Sequence, residues 1–77
     1  MTLEELISYI SSSVYCMVID VSDHFIEKEI FKGSCEKMVR FRDELKPEKY
    51  LIWSMTVDKL RGWLVISVYQ KGLFKSN

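Results

Sequence analysis

A chain of 77 residues has room for one domain, which at this size buries only roughly 60% of its unfolded surface. Its 48% hydrophobic content excludes a disordered polymer. Eleven Lys and Arg balance eleven Asp and Glu, and this zero net charge argues against both a basic nucleic-acid binder and an acidic DNA mimic.

The N-terminus opens with a helix signal. Thr2 is a capping residue, and Glu5 three positions later completes a capping box. Leu3, Leu6, Ile7 and Ile10 then recur at helical spacing, which predicts a helix of about three turns ending in Ser11-Ser12-Ser13. Val14–Val21 reads as a central strand, because both its faces are apolar over most of their length. Tyr15, Met17, Ile19 and Val21 share one face; Val14, Cys16, Val18 and Asp20 share the other. Ser22-Asp23-His24 is a turn.

Phe25–Lys32 carries charge on both faces, as an edge strand does to discourage aggregation, and Gly33 is expected to stop it. Ser34 caps a second helix over Cys35–Leu45, ended by Lys46-Pro47. Tyr50–Val57 and Trp63–Tyr69 then form a hairpin around Asp58-Lys59-Leu60-Arg61-Gly62, and Lys71–Asn77 is a tail. The order helix, strand, strand, helix, strand, strand gives one α+β domain over residues 1–77. A four-stranded, mostly antiparallel sheet with two helices is expected. The expected core is Leu6, Ile7, Ile10, Met17, Ile19, Met38, Leu45, Trp53, Met55, Ile66 and Val68.

Catalytic chemistry finds little support. His24 is the single histidine and sits in a turn, where Asp20, Ser22 and Asp23 more often serve local hydrogen bonds than an activated nucleophile. One His and two Cys 19 positions apart match no zinc spacing, and three isolated glycines make no phosphate loop. Glu27 and Glu29 suit a solvated edge better than acid–base work. The chain is therefore expected not to be an enzyme and to use no cofactor or metal.

The N-terminus lacks a signal sequence and no apolar run approaches the roughly 20 residues of a membrane span, so a cytoplasmic location with reduced thiols is expected. The sequence leaves a Cys16–Cys35 bridge open.

The hairpin is the informative stretch. Leu51, Trp53, Met55 and Val57 with Leu64, Ile66 and Val68 are expected on its core face. Tyr50, Ile52, Ser54 and Thr56 with Trp63, Val65, Ser67 and Tyr69 fall on the other. Two short helices suffice to cover one face of a sheet, which would leave the second open to a partner or a second copy. The expected partner-binding residues are Tyr50, Ile52, Trp63, Val65 and Tyr69. Arg42 joins them, since it lies inside the stripe Cys35, Met38, Val39 and Leu45 and must reach a rim, a carboxylate such as Glu29, or a partner. The aromatic residues also suit a sheet that stacks single-stranded nucleic acid, although such sites come with a basic groove.

The capped first helix, the strand pair ending Phe31-Lys32-Gly33-Ser34, the short second helix and the closing hairpin together resemble small proteins of bacteriophages and mobile elements of Gram-positive bacteria. Among these, the anti-CRISPR proteins are the group that the resemblance points to. It implies a non-enzymatic viral inhibitor of a bacterial defence complex. Because the chain lacks the negative charge of DNA mimics, it implies blocking by shape or away from the DNA channel. A structural or regulatory protein that self-associates, for instance as a homodimer, and a single-strand-binding sheet remain the alternatives.

Overall fold

The computed structural model describes residues 1–23 and 25–72. His24 and the tail beyond Gly72 lie outside the described residues, so the expectations placed on them are not addressed.

The chain forms an α+β fold on a four-stranded mixed sheet of order β2-β1-β4-β3. α1 (Leu3–Ile7) precedes β1 (Tyr15–Asp23) and β2 (Ile26–Ser34). α2 (Cys35–Arg40), α3 (Arg42–Leu45) and a 3-10 turn (Pro47–Lys49) lead into β3 (Tyr50–Asp58) and β4 (Trp63–Gln70). Each consecutive strand pair is an antiparallel hairpin, and the two hairpins join through a parallel β1–β4 pair at the centre.

The first helix starts as expected. The Thr2 hydroxyl accepts from Glu5 N–H at 3.1 Å, while the Glu5 carboxylate accepts from Thr2 N–H at 3.0 Å. It is shorter than three turns: its last helical residue is Ile7. The Ser8 hydroxyl donates to the Glu5 carbonyl at 2.6 Å and takes up the acceptor that a further turn would use.

The second helix is also broken. Phe41, with φ −93° and ψ 12°, separates α2 from α3, so residues 35–45 form two short pieces rather than one rod. Lys46 then takes left-handed angles (φ 54°) before Pro47, which ends α3. Gly33 does not stop β2, which runs on to Ser34. It instead makes room inside the strand, since a methyl group there would lie 3.2 Å from the Phe31 ring.

All the helices pack on one face of the sheet. The buried core is Leu3, Leu6, Cys16, Val18, Cys35, Met38, Ile66 and Val68. Leu6, Met38, Ile66 and Val68 stand where the sequence puts them, with Ile7, Ile10 and Leu45 packed at the margin. Met17 and Ile19 do not: β1 turns Cys16, Val18 and Asp20 inward, so its odd-numbered residues face away from the helices. Alternation puts Asp20 on this inward face with Cys16 and Val18, and it is tolerated there because Ser22 N–H (2.8 Å) and the Gln70 side chain (3.1 Å) satisfy its carboxylate. Trp53 is also outside the core, 64% exposed, and Met55 is 49% exposed at a part of the hairpin that the helices do not reach.

Candidate protein-docking face

The sheet face opposite the helices carries no helix among the described residues. Its composition follows from the strand pairings. Lys32, Met17, Val65 and Thr56 form one row across the four strands, and Glu29, Ile19, Ser67 and Ser54 form the next along the strand direction. At one end lie Ser34, Tyr15, Trp63 and Asp58, and towards the other lie Leu51 and Tyr69. The two central strands thus present Tyr15, Met17, Ile19, Trp63, Val65 and Tyr69 with Ser67 as their one polar residue in these rows, and the charged residues of the rows, Lys32, Glu29 and Asp58, lie on the two outer strands.

Register irregularities set which side chains reach it. Between Ile52 and Ser54 the β3–β4 pairing slips by one residue at Trp53. Ile52 pairs with Val68, on the helix side, but beyond the slip Ser54 pairs with Ser67, on the open side. A bulge of this kind inserts one unpaired residue and reverses the alternation. The expected assignment of Tyr50 and Ile52 to the open face is therefore overturned: both pack against the core on the helix side. By the same slip Leu51 and Trp53 lie on the open face, where the sequence pattern had put them inward. Trp63, Val65 and Tyr69 stand on the open face as their alternation requires.

Arg42 belongs to neither the sheet nor this face. It sits on α3, exposed, with its guanidinium 3.8 Å from Glu4, in a groove between α1 and the second helical segment lined also by Ile7, Val39 and Pro47. Its carboxylate partner is Glu4, not Glu29. An exposed pair at that distance contributes little stability.

The aromatic residues of the open face hold one another. The Tyr15 and Trp63 rings lie 4.6 Å apart at 32°, and Trp53 meets Tyr69 edge-on at 5.8 Å and 84°. The Arg61 guanidinium and the Lys32 ammonium lie 4.9 and 5.7 Å from the Trp63 ring centre. Such contacts restrain large side chains before any partner arrives, which lowers the ordering cost of binding. Tyr15, Met17 and Ile19 were missed as face residues. The signal was present, since Val14–Val21 is apolar on both faces; what the sequence lacked was the choice of side.

Burial pushes the Cys16 thiol up to about 11, with the neighbouring Cys35 adding to it, and burial also raises Cys35. Both are free thiols. Burial alone would raise Asp20, but the hydrogen bonds from Ser22 and Gln70 outweigh it and hold the carboxyl below its ordinary range. Burial raises the Tyr50 hydroxyl, and the Asp20 charge adds to the effect. Among the described residues no group of three or more His, Cys, Asp or Glu is placed to hold a metal ion, and no helix is long and apolar enough to cross a membrane.

No family model, curated protein or solved structure matches the chain.

Proposed function

We propose that this protein is a non-enzymatic protein-binding module that docks through the open sheet face. The carrying observation is that face itself: Tyr15, Trp53, Trp63 and Tyr69 surround Met17, Ile19 and Val65, and no described helix covers them. Trp and Tyr supply large contact area with few rotatable bonds, and they dominate binding hot spots. A non-catalytic role agrees with the state of the polar groups. The two thiols are buried with raised pKa values, which makes them poor nucleophiles, and Asp20 is committed to Ser22 and Gln70.

The setting we propose is the one the sequence resemblance implies, the blocking of a bacterial defence complex of CRISPR–Cas type in the host cytoplasm. The experiment is plasmid clearance in a panel of Gram-positive hosts with active CRISPR–Cas systems. Expression of the chain is expected to protect a targeted plasmid in at least one of them. Val65→Lys, at the centre of the face, is expected to keep the wild-type circular dichroism spectrum and to lose protection. A Val65→Lys protein that protects fully would remove the face from the mechanism, and clearance unchanged in every host would remove the defence role.

A second reading, a sheet that stacks single-stranded nucleic acid, draws on Lys32 and Arg61 beside Trp63. It is the weaker of the two because the Trp63 ring already packs on Tyr15 and beneath those cations, and because the chain has no net positive charge. Binding of a labelled oligonucleotide that falls steeply with salt would favour it.

A further inference from the structure

The open face is electrically polar along the strands, and that polarity is self-complementary. Lys32 and Arg61 stand towards the end that carries Tyr15 and Trp63. Glu29 stands one row further along the same edge strand as Lys32. Neither Lys32 nor Glu29 forms an ion pair with another described residue. Asp58, at the cationic end, lies 4.0 Å from the Arg61 guanidinium through one carboxylate oxygen and accepts from Leu60 N–H at 3.0 Å and Arg61 N–H at 3.3 Å through the other, so it offsets Arg61 and leaves Lys32 as the cation of that end.

Building on the docking reading above, we infer that the occupant of this face is a second copy of the chain, packed sheet on sheet with its strands antiparallel. A two-fold axis lying between the sheets and perpendicular to the strands sets β2 over β2 and reverses the rows. Lys32 of each copy then faces Glu29 of the other, twice by symmetry, and Met17 faces Ile19. The alternative axis, along the strands, sets β2 over β3. It would place Lys32 over Thr56 and Glu29 over Ser54, with no opposed charges. Charge complementarity thus selects one symmetric arrangement, and an isologous interface requires only that the same patch fit itself.

The area is sufficient. At about 4.8 Å per strand and 3.3 Å per residue the face covers roughly 500 Å² in projection. Two such faces bury about 1,000 Å² before side-chain relief is added, which reaches the size of a specific interface. Aligned packing of two sheets is a common architecture, and zero net charge leaves no long-range repulsion to oppose it. The dimer, rather than the single chain, is then the unit that would meet a defence complex.

The test is sedimentation equilibrium of the full chain and four variants, with circular dichroism as the fold control. Wild type is expected to be a dimer. Lys32→Glu and Glu29→Lys each put like charges together twice and are expected to weaken it at least about tenfold. The Lys32→Glu/Glu29→Lys double variant is expected to restore it, which no effect on the monomer's own fold would produce. Val65→Lys is expected to be a folded monomer. A double variant as weak as the singles overturns the proposed register. A wild type monomeric at about 1 mM, where even a millimolar dimer would be well populated, overturns the second copy. If Val65→Lys nonetheless loses plasmid protection, the docking reading stands with a different protein on the face. A dimer that Val65→Lys leaves intact overturns the second copy as the occupant of this face, and with full protection by the same variant it overturns the docking reading as well. Salt-sensitive binding of labelled oligothymidine by a monomeric wild type overturns both in favour of nucleic acid.

Discussion

Gln70 donates its side-chain amide to Asp20 at 3.1 Å, tying together the far ends of the two central strands across 50 positions of sequence. The backbone N–H of Gln70 also donates to the Ser22 hydroxyl at 2.8 Å, and Ser22 N–H donates to Asp20. The network closes one end of the parallel pair, with Asp20 only 8% exposed. These bonds hold the Asp20 pKa below its unfolded value of about 3.9. A carboxyl lowered by folding stabilises the protein above its unfolded pKa, and that stability is lost as pH falls through the folded pKa. Wild-type stability is therefore expected to drop on acidification below about pH 4. Asp20→Asn should cost about 1–3 kcal/mol at neutral pH and show a flatter acid limb. Urea unfolding from pH 7 to pH 2 measures both; parallel acid limbs would show that Asp20 is not the titrating group.

Ile66 and Met38 are both fully buried in the cluster where the helices meet the sheet. Ile66→Ala should cost about 2–5 kcal/mol. That is a large share of the stability of so small a domain. Wild-type-like melting of Ile66→Ala would reject the register of β4.

The Thr2 cap has a second duty. Met1 C=O accepts from Ile52 N–H at 3.0 Å, and Thr2 bridges Leu51, so the capped N-terminus also covers the free edge of β3. Thr2→Ala should cost about 0.5–2 kcal/mol, and Thr2→Ser should recover most of it. Amide exchange at Ile52 is the local readout: unchanged protection in Thr2→Ala would separate the cap from the edge.

Cys16 and Cys35 are at most 2% exposed, and burial raises both thiols. Modification by a disulfide reagent at pH 8 is expected to be slow in the native protein and fast in denaturant, with a rate that follows unfolding. Rapid native labelling of either thiol would contradict the packing described for β1 and α2.

Local signals in the sequence carried most of the fold. Thr2 with Glu5, Ser34 at the start of α2, the apolar strand pairs and the turn closed by Gly62 are each decided by neighbours a few positions away. The features that escaped are decided at long range. Alternation turns Asp20 inward with Cys16 and Val18, but the partner that completes its hydrogen bonding there is Gln70, and nothing near Asp20 announces it. The parallel centre of the sheet has no local signature either, since each strand reads the same whichever neighbour it takes. The open face was legible as an excess of apolar residues on both sides of two strands, but its membership was not, because a one-residue slip leaves composition untouched.

That slip gives the sharpest test of the face. Without the bulge, Tyr50 and Ile52 would share a side with Trp63, Val65 and Tyr69, and Trp53 would lie in the core. With it, Ile52 pairs with Val68 beside the buried cluster, while Trp53 meets Tyr69 on the open side. The two neighbours should therefore respond oppositely to the same change. Ile52→Lys drives an ammonium towards the layer holding Val68, where an unpaired charge is costly, and should destabilise by about 2–5 kcal/mol or abolish folding. Trp53→Lys places it at a position already 64% exposed and should cost far less than Ile52→Lys. Side-by-side thermal melts decide between the registers. A folded Ile52→Lys beside an unfolded Trp53→Lys would restore unbroken alternation along β3 and return Tyr50 and Ile52 to the open face.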